Sequence, residues 1–136
     1  MSVLVDASVL LDVLTQDNVW SDWSTTALAE AAASGPVVIN LIIYAEVSVR
    51  YSNIEELELA LPRDTFTRET IPYEAAFLAA KAFQLYRRRG GARSAPLPDF
   101  FIGAHAAVAG HRLLTRDPDH VRTYFPKAGL ITPDVM

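Results

Sequence analysis

The chain contains no cysteine. That excludes a disulfide scaffold, a thiolate nucleophile and a cysteine zinc site, and it is compatible with a reducing cytosol. Lysine is nearly as scarce: Lys81 and Lys127 are the only two, so the lysine that a phosphorelay receiver needs after a late strand is missing. No Gly-x-Gly-x-x-Gly follows a strand and no Gly-Lys-Ser/Thr phosphate loop exists. A Gly-x-Ser-x-Gly nucleophile elbow is missing too. The N-terminus runs into a strand without a basic leader, so no signal peptide is expected. The longest apolar run, around Val37 to Val47, carries Asn40 and Glu46 and is too short to span a bilayer. The expectation is a cytoplasmic protein with no membrane partner.

What the chain does have is enough apolar material for a core. Its 136 residues are 51% hydrophobic and 21% charged, with a mean hydropathy of +0.17. A single globular domain over residues 1–136 is predicted, large enough to fold without staples. The net charge of −4 argues against polyanion binding by the whole surface. Locally, Arg87, Arg88, Arg89 and Arg93 form a basic cluster, and a divalent cation can invert the sign of an acidic site.

In chain order, Ser2 to Val5 reads as a short apolar strand that Asp6 ends. Ala7 to Leu14 follows with Val9, Leu10, Val13 and Leu14 at helical spacing. Ser8 lies close by, and Asp12 is expected to be a solvated helix residue. Trp20 and Trp23 are expected to pack over an edge of the core. Ser24 to Ala33 is an alanine-rich helix stopped by Gly35-Pro36. Val37 to Ile39 is a second strand, and Asn40 caps a helix running to about Tyr51. Within it Glu46 sits among Ile42, Ile43 and Val49, where a carboxylate is costly to bury unless a cation or donor meets it. A salt bridge to Arg50 is the ordinary alternative. Asn53 to Glu56 is a capping box opening a helix that ends at Pro62. Phe66 to Ile71 reads as a weak strand. Pro72 and Tyr73 open a long helix whose expected buried side is Ala76, Phe77, Ala80, Phe83 and Leu85 or Tyr86.

The stretch from Leu97 to Asp117 is the most informative. Pro98 suits the first position of a helix, Asp99 complements the dipole in its first turn, and Gly110 is a natural stop. Small residues line this helix: Gly103, Ala104, Ala106, Ala107 and Ala109, which permits close packing. His105 is expected to be packed or partly exposed, and neither His111 nor His120 has a short-range partner for a metal site. Leu113 to Thr115 is a buried strand with Asp117 past its end. Pro118 to Phe125 and Gly129 to Thr132 complete the chain as a helix and a strand.

Alternating strands and helices predict an α/β protein, a parallel sheet covered on both faces. Ligands in such sheets sit beyond the C-terminal strand ends, where strand order reverses. Asp6 and Asp117 fall at strand ends, and Glu46 and Asp99 in or near the first turns of helices. Each acid has an ordinary structural alternative: Asp6 and Asp117 as caps, Asp99 as a dipole partner, Glu46 as an ion pair. Four together repel, and hard cations with oxygen-only ligation relieve that repulsion, which suits Mg²⁺ or Mn²⁺ and phosphodiester hydrolysis. A two-carboxylate glycosidase is not excluded by spacing alone.

The blocks Val3 to Ser8, Tyr44-Ala45-Glu46-Val47, Leu97 to Ala106 and Leu113 to Asp117 resemble, in order and spacing, the four signature blocks of PIN-domain nucleases. Length and order resemble the VapC-type toxins of toxin–antitoxin modules over essentially the whole chain. The resemblance implies a three-layer α/β/α sandwich with a central parallel sheet and a Mg²⁺- or Mn²⁺-dependent endoribonuclease. It implies Asp6, Glu46, Asp99 and Asp117 as the acidic catalytic and metal site, with Asp6 and Asp99 as direct ligands and Asp119 as a substitute for Asp117. Ser8 and Thr115 match supporting polar positions. Arg116 stands where the family often has Asn; it either reaches substrate phosphate or leaves the site. Arg93 is a second candidate RNA contact, or part of a solvated charge run. The implied partners are RNA, a VapB-type antitoxin and a second copy of the chain. The alternatives are a non-catalytic PIN-fold module that binds RNA or protein, and a Mg²⁺-dependent phosphatase.

Overall fold

The computed structural model describes residues 1–90 and 97–133. Arg93 lies outside the described residues. The chain opens with β1 (Val3–Val5), α1 (Ala7–Leu14) and α2 (Ser21–Ser34), then β2 (Val37–Ile39), α3 (Leu41–Ser48) and α4 (Ile54–Ala60). It continues through β3 (Phe66–Arg68), α5 (Tyr73–Arg88), α6 (Leu97–Ala109), β4 (Arg112–Leu114), α7 (Asp119–Tyr124) and β5 (Gly129–Ile131). The five strands form one parallel sheet in the order β3-β2-β1-β4-β5. Helices flank this sheet, giving the three-layer α/β/α sandwich that the alternation predicts.

Val3, Leu4 and Val5 of the central strand are fully buried, and both neighbours, β2 and β4, present apolar runs. A parallel strand covered on both faces needs that unbroken apolar composition. From β1 the chain steps outward to β2 and β3, then returns to β4 on the other side. The order therefore reverses between β1 and β4, which opens a crevice at their C-terminal ends.

Local signals mark many of the boundaries. Asn40 Oδ1 accepts the Ile43 N–H at 3.0 Å, capping α3, and Asn53 Oδ1 accepts the Glu56 N–H at 2.9 Å, capping α4. Gly110, at φ +75°, follows α6 in the left-handed conformation that ends helices. Trp23 packs partly on the core and Trp20 meets it edge-on, with ring centroids 6.4 Å apart. Some boundaries move: α2 starts at Ser21, α3 stops at Ser48, and β3 closes at Arg68 rather than Ile71.

The expected buried side of α5 is also wrong. Ala75, Ala79 and Ala82 are its buried residues, whereas Phe77 is 66% exposed with the Lys81 ammonium 5.3 Å from its ring centroid. The cause is α6, which packs against α5. Two helices lined with small residues approach closely, so alanine rather than phenylalanine fills the seam. Phe83 and Tyr86 contribute from the edge of that seam, with centroids 5.5 and 5.4 Å from Phe100. On α6, Gly103 leaves room for the Phe125 ring, which would lie 2.6 Å from a Cβ at that position.

Candidate active site

Asp6 is set by the sheet itself. Its N–H donates to the Leu114 carbonyl at 2.9 Å, which ties the end of β1 to the end of β4. It stands at the N-cap of α1, yet its side chain makes no capping hydrogen bond. Instead Oδ2 accepts from the Ser8 hydroxyl at 2.8 Å and from the Thr115 hydroxyl at 2.9 Å. Thr115 Oγ1 in turn accepts the Asp117 N–H at 3.0 Å, which orients the turn after β4. Both hydroxyls bond the same oxygen, so Oδ1 has no donor among the described residues.

Asp99 enters from the first turn of α6. Asp6, Asp99, Thr115, Asp117 and His120 line one small cavity of about 70 Å³, together with the apolar Ile102, Leu113 and Val121. Glu46 comes from the second half of α3, not its first turn. Its carboxyl is pushed up to about 7, first by burial and then by the negative charges of Asp6 and Asp99. Burial likewise raises the Asp99 carboxyl, against the effect of His120 and with that of Asp6 and Asp117. Asp6, Asp99 and Asp117 thus share the cavity, and Glu46, on a fourth segment, is close enough to feel the charges of Asp6 and Asp99. Glu46 makes no ion pair with Arg50 within 4.0 Å among the described residues.

The carboxylates stand openly rather than as a tight cage. Among the described residues, the set that brings three ligand atoms within 4.8 Å of one another is Glu69, His105 and His111. The donor set, all oxygen, fits a hard divalent ion.

Several residues take places the sequence did not show. Asp12 is not solvated: it is 3% exposed, accepts from Ser24 Oγ at 2.7 Å, and pairs with Arg116 at 2.6 and 3.0 Å. A bidentate guanidinium and a hydroxyl compensate its burial. Arg116 therefore turns to Asp12 and lies 5.2 Å from the Trp20 ring centroid. Asp119 lines a different hollow with Arg116, Asp117 and Arg122, so Asp117 is the acid that borders the Asp6–Asp99 cavity. His120 is the site neighbour that sequence reasoning missed. Its ring lies tilted against Phe100, with centroids 5.2 Å apart, and its Nε2 lies 3.4 Å from the Asp99 carbonyl oxygen. The available signal was a histidine three residues past Asp117, opening α7.

A PIN-domain family model matches residues 3–126. The chain belongs to the PIN-domain family. Among solved structures, a toxin–antitoxin complex from Klebsiella pneumoniae is 25% identical, with a TM-score of 0.69 over 98% of this chain and 99% of that one. VapBC2 from Rickettsia felis, bound to a DNA fragment of its promoter, gives 0.74 at 15% identity over 98% and 100%. VapC20 from Mycobacterium tuberculosis, a toxin that cleaves the sarcin–ricin loop, gives 0.63 at 16% identity over 93% and 98%. At 15–16% identity the last two speak for the PIN-domain fold alone. No curated protein sequence matches.

Proposed function

We propose that this PIN-domain protein is a Mg²⁺- or Mn²⁺-dependent endoribonuclease, the toxin of a VapBC-type pair, acting as one domain over residues 1–136. The observation that supports this reading is the cavity lined by Asp6, Asp99 and Asp117, with Glu46 close enough to feel the charges of Asp6 and Asp99. Asp6 and Asp99 hold the cation, with Glu46 and Asp117 beside them. Burial, and then the neighbouring negative charges, raise the Glu46 and Asp99 carboxyls, and a cation held among these acids would offset that cost. The bound ion supplies Lewis-acid chemistry, making water a competent nucleophile at neutral pH and neutralising charge that develops on the phosphate.

The chain's own residues do the positioning. Ser8 and Thr115 hold Asp6 Oδ2, which turns Oδ1 to ligation. Glu46, half-buried beside Asp6 and Asp99, is the group suited to take the proton of the attacking water. The toxin–antitoxin neighbours support an antitoxin as partner, and the large apolar side chains exposed on α3, α4 and α5 offer contact surface for it and for a second copy of the chain. No helix among the described residues is long and apolar enough to cross a membrane. The proposed place of action is the cytoplasm.

The test is cleavage of a mixed cellular RNA pool by purified protein with Mg²⁺, with Mn²⁺ and with EDTA. Discrete fragments that require metal and vanish in Asp6→Ala and Asp99→Ala are expected. Asp99→Asn, which keeps the shape and removes the charge, is expected to lower the rate by at least about 10²-fold with the circular dichroism spectrum unchanged. Full activity of Asp99→Asn removes Asp99 from the mechanism. Metal-independent silence of the folded, antitoxin-free protein favours the non-catalytic module, and release of phosphate from a small monoester favours the phosphatase.

A further inference from the structure

A second cluster, chemically unlike the four acids, lies at Glu69. Glu69 Oε1 is 2.8 Å from His105 Nε2 and 2.6 Å from His111 Nε2. The three residues come from the end of β3, the middle of α6 and the start of β4, so no spacing in the sequence announces them. His105 is fully buried and His111 is 8% exposed, while the Glu69 side chain is 36% exposed, which gives solvent and ions a way in.

We propose that Glu69, His105 and His111 form a binding site for a borderline transition-metal ion, Zn²⁺ being the physiological candidate. Two imidazoles and one carboxylate are a ligand set that Zn²⁺ uses with its fourth position left to water. Ligand atoms around a tetrahedral zinc are about 3.4 Å apart, so the two carboxylate–imidazole contacts, at 2.8 and 2.6 Å, need to widen by about 0.6 and about 0.8 Å. Both rings are already oriented through their other nitrogens, His111 Nδ1 against Ser2 Oγ and His105 Nδ1 against Asn40 Nδ2. The nitrogen donors separate the two sites chemically: Mg²⁺ and Mn²⁺ prefer the carboxylates, and Zn²⁺ prefers the imidazoles. The proposal is independent of whether the chain cleaves RNA.

One contact opposes the metal, and it sharpens the test. Asn40 donates to His105 Nδ1, which puts the ring proton on Nε2, pointing at Glu69. Ligation through Nε2 needs that proton on Nδ1 instead, and Asn40 then has to turn its amide and give up the Ile43 N–H it caps. Loss of a helix cap corresponds to roughly a five- to tenfold loss in affinity. That is small beside the many powers of ten by which such ligand sets bind zinc. An Asn40→Asp variant removes the conflict, since one carboxylate oxygen caps Ile43 while the other accepts the Nδ1–H.

The experiment is titration of the metal-stripped full chain with Zn²⁺ by calorimetry, and with Co²⁺ as a coloured reporter of tetrahedral ligation, both in excess Mg²⁺. One equivalent is expected to bind in the wild type and in Asp6→Ala. Glu69→Gln and His111→Ala are expected to weaken binding by about 10²-fold or more, and Asn40→Asp to tighten it by roughly five- to tenfold. Should His111→Ala fail to fold, Glu69→Gln decides, because that side chain is partly exposed and changes little in shape. Absence of stoichiometric binding overturns the site, as does binding that Glu69→Gln leaves intact and Asp6→Ala abolishes. Weaker binding by Asn40→Asp also overturns it.

Discussion

Thr115 shows how much one side chain decides at this site. Its hydroxyl donates to Asp6 and accepts from the Asp117 backbone, so it ties two of the four acids together. Thr115→Val keeps the shape and deletes both bonds. It is expected to lower metal-dependent cleavage by about 10- to 100-fold, read from rates at several Mg²⁺ concentrations. Glu46 supports a prediction about pH. Between its ordinary value of 4.5 and about 7, the folded protein holds a proton on Glu46 that the unfolded chain has released. The folded state binds more protons there, so stability falls as pH rises through that window and levels off above it. Urea unfolding of metal-free protein between about pH 5 and pH 8 checks this, with Glu46→Gln expected to be the flatter profile and the more stable protein at the upper end. The acids were legible one at a time, since a carboxylate just past an apolar strand is a local pattern. Asp12 and His120 were not, because their partners Arg116 and Asp99 lie 104 and 21 residues away.

Among the elements, the seam between α5 and α6 carries the clearest lesson. The small residues of α6 promised close packing, and Gly103 against Phe125 fulfils that. Which side of α5 meets it was misjudged, because large apolar residues were assigned to the interior by type. The seam takes alanine, and the rings of Tyr73 and Phe77 are left 89% and 66% exposed. A Gly103→Ala substitution gains about 1 kcal/mol of helix propensity. It also drives a methyl group into the buried Phe125 ring, an overpacking of about 1–3 kcal/mol. A net loss of stability of up to about 2 kcal/mol is expected, measured as a lower urea midpoint with an unchanged slope. Capping was read correctly at Asn40 and Asn53, where the side chain answers an N–H three residues away and needs nothing from the rest of the molecule.

On the scale of the whole molecule, strand order makes the site. The reversal between β1 and β4 places Asp6 and Asp117 on one cavity, while the second half of α3 and the first turn of α6 deliver Glu46 and Asp99. A cation that binds only this assembled arrangement stabilises the fold by mass action. Mg²⁺ or Mn²⁺ is therefore expected to raise the thermal midpoint of the wild type and leave that of Asp6→Ala nearly unchanged, as scanning calorimetry with and without EDTA will show. The sequence alone determined the alternation of strands and helices, the unbroken apolar strands that call for a covered parallel sheet, and the acids at element ends. Those depend on periodicity and capping within a few residues. Tertiary structure alone decided that Arg116 belongs to Asp12, that His120 borders the cavity, and that Glu69 gathers two histidines. Such pairings join residues from 21 to 104 positions apart, and only the packing of helices on the sheet selects one partner among the many that charge and size allow.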